Sequence, residues 1–363
     1  MSSNFGKSIH ISIFGQSHSE AIGVVIDGLP AGEYIDLEQA QAFMKRRAPG
    51  QHKYATPRKE ADLVEVVSGL MDGKTCGAPL CAMIQNTNAR SKDYTHLIKT
   101  PRPGHADYTA TIKYHGFQDY RGGGHFSGRL TAPLCFAGAV CMQILARRNI
   151  HIGAHILSIK QIQDQAFDAV HVTADQLHTV TAKEFPVIND AVAVQMQDVI
   201  EDARLSQDSV GGIVEAAAVG LPVGLGEPMF DGLESELAAI LFAIPAVKGV
   251  SFGEGFGAAS LFGSENNDPF YYDETGTVKT TTNHHGGSLG GISSGMPLTV
   301  KVAFKPTPSI SREQQTIGLE SKQNETVRVM GRHDPCIVPR AVPCVEAAMA
   351  IALLDLYYMQ NKG

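Results

Sequence analysis

Four short segments concentrate the side chains that could bind an anion or transfer a proton. They are Ser17-His18, the run from Arg47 to Lys53, the stretch from Arg102 to Arg129, and Arg332-His333-Asp334. Arginine suits carboxylates and phosphates because its planar guanidinium donates two parallel hydrogen bonds and stays charged. Histidine moves protons near neutral pH. Arginines beside histidines therefore predict a substrate with more than one anionic group and a reaction that includes proton transfer.

Three consecutive glycines, Gly122 to Gly124, lie inside the third of these segments. Successive glycines cost backbone entropy, which a sharp turn or a close approach of the backbone to a ligand would justify. The amide N–H groups of such a turn could bind an oxyanion or the polar edge of a ring. A flexible loop that binds nothing is the alternative.

The chain has a formal net charge of −7 and a pI of about 6.0, yet its charges are unevenly distributed. Six basic residues and no acidic residue lie between Lys45 and Lys59, whereas Glu184 to Glu236 contains eleven acidic residues and one arginine. A basic stretch can be a solvated face, a nucleic-acid patch or one wall of a pocket for a small anion. Nucleic-acid domains normally have a basic balance and stacking aromatic residues. The acidic pI and the absence of tryptophan disfavour that class.

The sequence predicts neither a membrane span nor a metal site. The N-terminus, MSSNFGKSIH, lacks the charged and apolar regions of a secretory signal. The longest apolar stretch, Thr131 to Ala146, is too short to cross a bilayer and is predicted to be a buried helix. The six cysteines form no CxxC pair, so we expect reduced cysteines in the core of a cytoplasmic protein.

Periodicity and capping signals outline the elements that would position these segments. Residues 8–28 predict two short strands on either side of a Gly-Gln-Ser-His turn. Asp36 precedes a helix over LEQAQAFMKRR, and Thr131 is a candidate N-cap of the apolar helix. The triple glycine would then precede a helix N-terminus, which attracts anions. Further strands are expected at 62–69, 78–86, 150–159 and 210–219 and at the end of 281–304, and further helices at 188–203, 233–243 and 342–358.

The order of these elements also bears on the fold class. Strands and helices do not alternate strictly, and no GxGxxG follows the first strand, so we expect an α+β fold and not a dinucleotide-binding Rossmann fold. No linker rich in proline or serine divides the chain, which favours one integrated domain over residues 1–363.

Nine motifs follow one another along the chain. They are GQSH (15–18), RAPG (47–50), TPR (56–58), RPGHADYT (102–109), DYRGGG (119–124), AVKG (246–249), GGSLGGISSG (286–295), AFKPTPSI (303–310) and GRHDPC (331–336). Their identity and order closely resemble the chorismate synthase family, from about residue 6 to residue 356. The resemblance implies an α+β fold with a helical layer sandwiched between two antiparallel β-sheets, and a homotetramer.

The resemblance also implies an activity. Members of that family convert 5-enolpyruvylshikimate 3-phosphate into chorismate, the last step of the shikimate pathway, by an anti-1,4-elimination of phosphate and the C6 proton. The reaction needs reduced FMN although no net oxidation occurs. NADPH would serve only as a reductant, and an external flavin reductant is expected because the sequence has no dinucleotide fingerprint and no long insertion.

Position by position, the resemblance assigns roles to individual residues of this chain. The implied catalytic residues are His18, which would protonate the leaving phosphate, His105, near flavin N1, and Ser127 and Asp334, which would manage the proton at flavin N5. The implied substrate-binding residues are Arg47, Lys53, Arg102, Arg129 and Arg332. The implied flavin contacts are Phe126, Ser127, Gly128, Pro245, Ala246, Gly290, Lys305, Pro306, Thr307, Pro308, Ser309 and Arg332. The substrate is a trianion, which would explain the arginines.

The chain departs from the family pattern near several of these positions. The departures are Gln16, Ser19, His125, Leu130 and Pro245. Gln16 replaces a carboxylate, and His18 should be less basic if that carboxylate tunes it. His125 replaces an arginine, which turns a permanent charge into a titratable one, and Pro245 replaces an asparagine. We expect flavin affinity to be the property that these changes affect most.

Three alternatives remain at this point. A divergent FMN-dependent lyase could use the same scaffold on another substrate. A non-catalytic flavin-binding relative could bind FMN without turnover. Nucleic-acid binding through Lys45 to Lys59 would show a steep salt dependence.

Overall fold

The structure, a computed structural model, describes residues 3–50, 61–87, 97, 99–330 and 333–360. The alternating pattern near the N-terminus forms an antiparallel hairpin that belongs to a five-stranded sheet. The strands are β1 (Asn4–Phe5), β2 (His10–Gly15), β3 (Ala21–Asp27), β4 (Val64–Ser68) and β7 (Leu80–Gln85), with the small hairpin β5 (Leu70–Met71) and β6 (Lys74–Thr75) between the last two. Their order in the sheet is β1-β2-β3-β7-β4, and every pair is antiparallel. Ile22, Val24 and Ile26 of β3 are fully buried, as expected when one face of a strand packs on a core.

A second antiparallel sheet also has five strands. They are β8 (His151–Ile159), β9 (Ile162–Gln163), β10 (Gly212–Val219), β11 (Val247–Phe252) and β16 (Leu298–Phe304), in the order β11-β16-β10-β8-β9. Three small hairpins complete the described strands: β12 (Phe270–Tyr272) with β13 (Val278–Thr280), β14 (Ser288–Leu289) with β15 (Ile292–Ser293), and β17 (Glu313–Gly318) with β18 (Gln323–Arg328).

The helices of the described chain differ strongly in burial. They are α1 (Leu37–Arg47), α2 (Asp107–Lys113), α3 (Thr131–Ala146), α4 (Ala174–Thr181), α5 (Asp190–Leu205), α6 (Leu233–Ala243), α7 (Gly263–Asn266) and α8 (Val338–Gln360). The side chain of Asp36 caps α1 by accepting a hydrogen bond from the Gln39 amide at 3.0 Å. Most residues of α3 and α8 are buried, and these two helices form the centre of the core.

Helices α3 and α8 pack directly on each other and on both sheets. A Cβ on Gly138 would overlap Ala347, so the two backbones approach to van der Waals contact there. Helix α3 also contacts α1, β3 and β8, while α8 also contacts α6, β8 and β10. Residues 128–146 and 338–360 are each long and apolar enough to cross a bilayer. For residues 128–146 this is contrary to our expectation. In both helices, however, 83% of the apolar 18-residue segment is buried inside the protein. The prediction of a buried helix is therefore confirmed.

Buried carboxylates attach other segments to α8. Asp355 is 2% exposed and accepts hydrogen bonds from the amides of Lys7, Ser8 and Ile9 at 2.6–3.1 Å. Glu346 is fully buried and accepts two hydrogen bonds from Arg46, at 2.5 and 2.9 Å. The long terminal helix thus holds the N-terminal segment and α1 in place.

The predicted elements are largely confirmed, and the differences have physical reasons. Thr131 is the first residue of α3 and not its N-cap, because its hydroxyl donates to the Gly128 carbonyl at 2.6 Å. Helix α8 begins at Val338, earlier than expected, and accommodates Pro343. Helices α2 and α4 and the hairpin β17–β18 were not expected from the sequence. Cys76 is exposed, whereas the expectation of buried thiols is correct for Cys135, Cys141, Cys336 and Cys344.

We predict that Asp355→Asn lowers the free energy of unfolding by about 2 kcal/mol. In the wild type, three backbone N–H groups donate to the Asp355 carboxylate. In the variant, an amide NH2 group would replace one carboxylate oxygen and could not accept these hydrogen bonds. Urea unfolding followed by circular dichroism measures the change. The matched control is Asp72→Asn at an exposed turn residue, for which we expect a change within about 0.5 kcal/mol. Equal stabilities of the two variants would contradict the prediction.

Candidate active site

A cavity of about 560 Å³ opens where five parts of the chain meet. These parts are the C-terminal end of α1, the segment 102–131 before α3, the connection from α6 to β11, and the two segments that follow β16 and precede α8. The volume is within the range of roughly 300–1,000 Å³ that is usual for small-molecule sites.

Most of the residues that the resemblance implied line this one cavity. They are Arg47, Arg102, His105, Phe126, Ser127, Gly128, Arg129, Pro245, Ala246, Lys305, Thr307, Pro308, Ser309 and Asp334. Residues almost 300 positions apart in the sequence therefore share one wall. The fold brings together motifs whose proximity the sequence alone did not show.

The other predicted residues lie elsewhere. Lys53 and Arg332 are outside the described residues. Pro306 is exposed between two lining residues, and Gly290 is exposed at the turn between β14 and β15, away from the described cavity wall. His18 is buried directly behind Gly122, whose backbone forms part of the wall.

The triple glycine is a tight turn around two imidazoles. All three glycines have positive φ (60°, 87° and 56°), a conformation that side chains disfavour. A Cβ on Gly122 would overlap the ring of His18, and a Cβ on Gly123 would lie 3.1 Å from the ring of His105. The Ser17 amide donates to the Gly124 carbonyl at 3.0 Å, which joins the turn to the loop of His18. The glycines are therefore needed for a sharp turn that packs against two imidazole rings, which confirms the sharp-turn part of the sequence interpretation.

One buried carboxylate holds two of the pocket arginines. Nη1 of Arg47 and Nη1 of Arg129 each donate to a different oxygen of Asp62, and all three residues are at most 5% exposed. Nε of Arg47 also donates to the Thr131 hydroxyl at 3.0 Å, and Nε of Arg129 donates to Asn86 Oδ1 at 3.0 Å. Burial acts to raise the pKa of Asp62, but the two guanidinium charges and their hydrogen bonds outweigh it, so the pKa is lowered. The same pairing raises the pKa of Arg47 against the effect of burial.

A second carboxylate organises Arg102 and His105. Asp107 accepts from Arg102 Nε at 2.7 Å and from His105 Nδ1 at 2.7 Å. Burial acts to raise the pKa of Asp107, but the hydrogen bonds from Arg102 and His105 lower it well below its usual range. Because a carboxylate only accepts, His105 carries a proton on Nδ1, and its orientation beside Gly123 is fixed. Arg102 also donates to Ser309 Oγ at 3.0 Å, which links this cluster to the segment after β16.

A third pair lies at the start of α8. Asp334 accepts from Arg340 Nη1 at 2.5 Å, and Nε of Arg340 donates to the Arg47 carbonyl at 3.0 Å. Arg340 therefore joins the two walls that carry Asp334 and Arg47. Sequence reasoning missed Asp62, Asp107 and Arg340. Asp107 lies inside a quoted motif and could have been considered, whereas nothing local in the sequence marks Asp62 or Arg340 as partners.

His125, the residue in place of a family arginine, makes two hydrogen bonds. Its Nδ1 donates to the Gly15 carbonyl at 2.7 Å, and its Nε2 lies 2.7 Å from Ser3 Oγ. A neutral ring satisfies both contacts if the Ser3 hydroxyl donates to Nε2. His125 thus links the N-terminal segment and the loop before His18 to the triple-glycine turn.

Two groups on the opposite wall are suited to ligand contacts. The Thr307 hydroxyl is buried and has no hydrogen-bond partner among the described residues. Lys305 donates to the Gly104 carbonyl, and burial followed by the nearby charge of Lys248 lowers its pKa. A buried polar atom without a partner is costly in a folded protein, so a bound ligand is a natural partner for Thr307.

Three comparisons with known proteins agree with one another. Residues 9–358 match the family model described as chorismate synthase. The chain is 46% identical to a chorismate synthase of Dehalococcoides mccartyi, over 98% of this chain and 96% of that protein. It is 45% identical to a chorismate synthase of Thermococcus kodakarensis, over 96% of each. A solved structure titled as a crystal structure of chorismate synthase superposes with a TM-score of 0.76 at 26% identity, over 99% of this chain and 94% of that chain.

We predict that Asp62→Asn lowers the free energy of unfolding by about 3 kcal/mol or more at pH 7, since two buried guanidinium groups lose their carboxylate. Folding lowers the pKa of Asp62. The stabilisation that the Asp62 carboxylate contributes is therefore fully present above its pKa in the unfolded chain, which is about 3.9. This stabilisation is lost as the pH falls through the lower pKa that Asp62 has in the folded protein. The difference in the free energy of unfolding between wild type and Asp62→Asn should therefore become smaller below about pH 4. Urea unfolding from pH 7 to pH 3 measures it.

The control for that experiment is Glu65→Gln, an exposed carboxylate on the neighbouring strand β4. We expect its effect to stay within about 0.5 kcal/mol across the pH range. If the difference in the free energy of unfolding between wild type and Asp62→Asn stayed constant down to pH 3, it would contradict the role of the Asp62 carboxylate as the partner of the two arginines.

Proposed function

The chain belongs to the chorismate synthase family, and from this membership we propose how its cavity performs the family's reaction. It is a lyase that forms chorismate from 5-enolpyruvylshikimate 3-phosphate by 1,4-elimination of phosphate and a proton. The observation that carries the proposal is the convergence of three arginines and one oriented histidine on a single cavity: Arg47, Arg102, Arg129 and His105.

The arginines are proposed to bind the trianionic substrate. Arg47 and Arg129 share the single carboxylate of Asp62, which fixes their direction. Fixed guanidinium groups bind anions without having to be ordered first, so binding energy can stabilise charge on the leaving phosphate. Lys53 and Arg332, outside the described residues, are proposed to add to this set.

Proton transfer is assigned to the histidines and to the pair at the start of α8. His18, behind Gly122, is proposed to protonate the leaving phosphate, although the path from its ring to the cavity passes the glycine backbone. His105 is oriented by Asp107 through Nδ1 and is proposed to transfer a proton, or to stabilise negative charge when Nε2 is protonated as well. Asp334, oriented by Arg340, is proposed to receive and pass on the substrate proton with Ser127.

The family membership implies a flavin cofactor, and the residues of the cavity fit one. The segments Phe126–Gly128, Pro245–Ala246 and Lys305–Ser309 face the same space, and Thr307 offers a buried hydroxyl without a partner among the described residues. We propose reduced FMN, held by these segments, with NADPH only as the electron source of a separate reductase. A bound reduced flavin supplies the electron density that eases cleavage of the C–O bond.

The arrangement of the whole chain is part of the proposal. Helix α3 contacts β3 of the first sheet and β8 of the second, which supports a helical layer between two sheets in one domain. The first sheet presents Phe14 and Val67, exposed by 36% and 49%, on strands whose other face is buried. Apolar side chains on an outer sheet face favour burial against other copies of the chain, in line with a homotetramer. A cytoplasmic location is proposed from the nature of this biosynthetic activity.

We predict anaerobic turnover of 5-enolpyruvylshikimate 3-phosphate to chorismate with photoreduced FMN, and none above background with NADPH alone. Chorismate absorbance or chromatography measures the product. Tight flavin binding without any turnover would favour the divergent lyase. Turnover that depends on NADPH alone would contradict the external reductant.

We predict that His105→Ala lowers kcat about 100- to 10,000-fold while oxidised FMN still binds, because positioned acid–base groups contribute on this order. His171→Ala, at an exposed position on the segment before α4, is the matched control and should match wild type. Single-turnover kinetics and flavin fluorescence separate chemistry from binding. Unchanged kcat in His105→Ala would remove His105 from the mechanism.

A further inference from the structure

Two thiols meet beside the wall of the candidate active site, and the proposed mechanism uses neither. Cys135 lies in the second turn of α3 and is fully buried, whereas Cys344 of α8 lines the cavity and is 3% exposed. Their Sγ atoms are 3.7 Å apart, with the Cys135 thiol donating to Cys344. No disulfide joins them, and 209 positions separate them in the sequence.

The backbones of α3 and α8 touch one helical turn from these thiols. A disulfide requires Cα atoms within roughly 6.8 Å. Gly138 and Ala347, each three residues after one of the cysteines, lie in contact because Gly138 has no side chain. The cysteines are therefore one helical turn from the closest approach of α3 and α8. The sulfurs are 3.7 Å apart and must approach to the bonding distance of about 2.05 Å, which is a movement of less than about 2 Å.

The surroundings of the two sulfurs differ. Cys344 lies near the charges of Arg47 and Arg340 and near the Thr131 hydroxyl. The hydrogen bond from Cys135 and these charges lower the pKa of Cys344 to about 7, against the effect of burial. Burial raises the pKa of Cys135. The sulfur of Cys344, the thiol residue on the cavity wall, is thus the better nucleophile, and the sulfur of Cys135 keeps its proton.

We propose that Cys344 and Cys135 form a peroxide-sensitive thiol pair, in which Cys344 reacts with a peroxide that enters the cavity and Cys135 resolves the product into a disulfide. The Cys344 thiolate attacks one peroxide oxygen, the O–O bond breaks, and the second oxygen leaves as water after protonation. Cys135 sulfur then displaces hydroxide from the sulfenic acid, its thiol proton completing a second water. The thiols lose two electrons and hydrogen peroxide gains them.

The disulfide would disturb the substrate pocket. The Cys344 thiol donates to the Arg340 carbonyl at 3.4 Å, and Arg340 in turn holds Asp334 and the Arg47 carbonyl. Moving the sulfur toward Cys135 removes that contact at the first turns of α8. Displacements on the order of 1 Å can cost about 100-fold in rate, so we expect turnover to fall at least about tenfold. This part of the inference rests on the proposed function. Reduced flavins produce hydrogen peroxide with dioxygen, so the oxidant would arise at this site.

The covalent step can be tested without substrate or flavin. The protein is treated with hydrogen peroxide, exposed thiols are blocked, and peptides are mapped by mass spectrometry with and without reduction. We expect a Cys135–Cys344 disulfide peptide in wild type and in Cys141→Ser, a control at a buried cysteine of the same helix. In Cys135→Ser, the sulfenic acid of Cys344 should persist and react with dimedone. Recovery of both thiols unmodified, at a peroxide dose that oxidises the exposed Cys76, would overturn the proposal.

The effect on catalysis is measured on the same samples. Oxidised wild type should turn over at least about tenfold more slowly and recover with dithiothreitol, while Cys344→Ser should keep its own starting rate through the same treatment. A disulfide that leaves turnover unchanged would overturn the functional consequence. If untreated protein has no turnover at all, the proposed function fails, yet the peptide map still decides whether the thiol pair exists.

Discussion

The candidate site depends on the pairing of buried guanidinium groups with buried carboxylates. A trianionic substrate calls for several arginines in one cavity, and such charges cannot be buried without partners. Asp62 holds Arg47 and Arg129, Asp107 holds Arg102, and these contacts set the direction of every described arginine that is proposed to bind substrate. An acidic chain can therefore contain a cationic pocket, because buried carboxylates pair with the guanidinium groups that line it.

The packing of α3 against α8 places this cavity. Small residues at the crossing, Gly138 and Ala347, allow the two backbones to touch, and the remaining faces of these helices pack on the sheets. The N-terminal end of α3 carries the loop of Arg129 and Ser127, and the first turns of α8 carry Arg340 and Cys344. The two core helices consequently also carry part of the active-site wall. A change at the crossing affects both stability and pocket geometry.

The structure shows which contacts are made by the residues that depart from the family pattern. His125, at the position where the resemblance expects an arginine, bonds to the Gly15 carbonyl through Nδ1 and to Ser3 Oγ through Nε2, so it supports the triple-glycine turn. Ser19 donates to the carbonyls of Gln16 and Ala21, which closes the loop next to His18. Both residues thus make local hydrogen bonds around the turn and the loop that hold the two histidines. Pro245 lies on the cavity wall, where it offers neither a backbone N–H nor a side-chain amide for contacts.

Local pattern determined much of this protein: the hairpin around the Gly-Gln-Ser-His turn, the Asp36 cap, the buried apolar helix and the motifs that converge on the cavity. The first three follow from side-chain periodicity, capping and turn chemistry, which act over a few residues, whereas the motifs were identified by their resemblance to a family. Only the tertiary structure decided that Asp62 lies between two arginines, that Arg340 holds Asp334, and that Cys135 meets Cys344. Arg46 and Arg47 illustrate the reason, since neighbours on α1 point to different partners, Glu346 and Asp62. Partner choice depends on which distant segment packs against each face of a helix, and no local pattern encodes that.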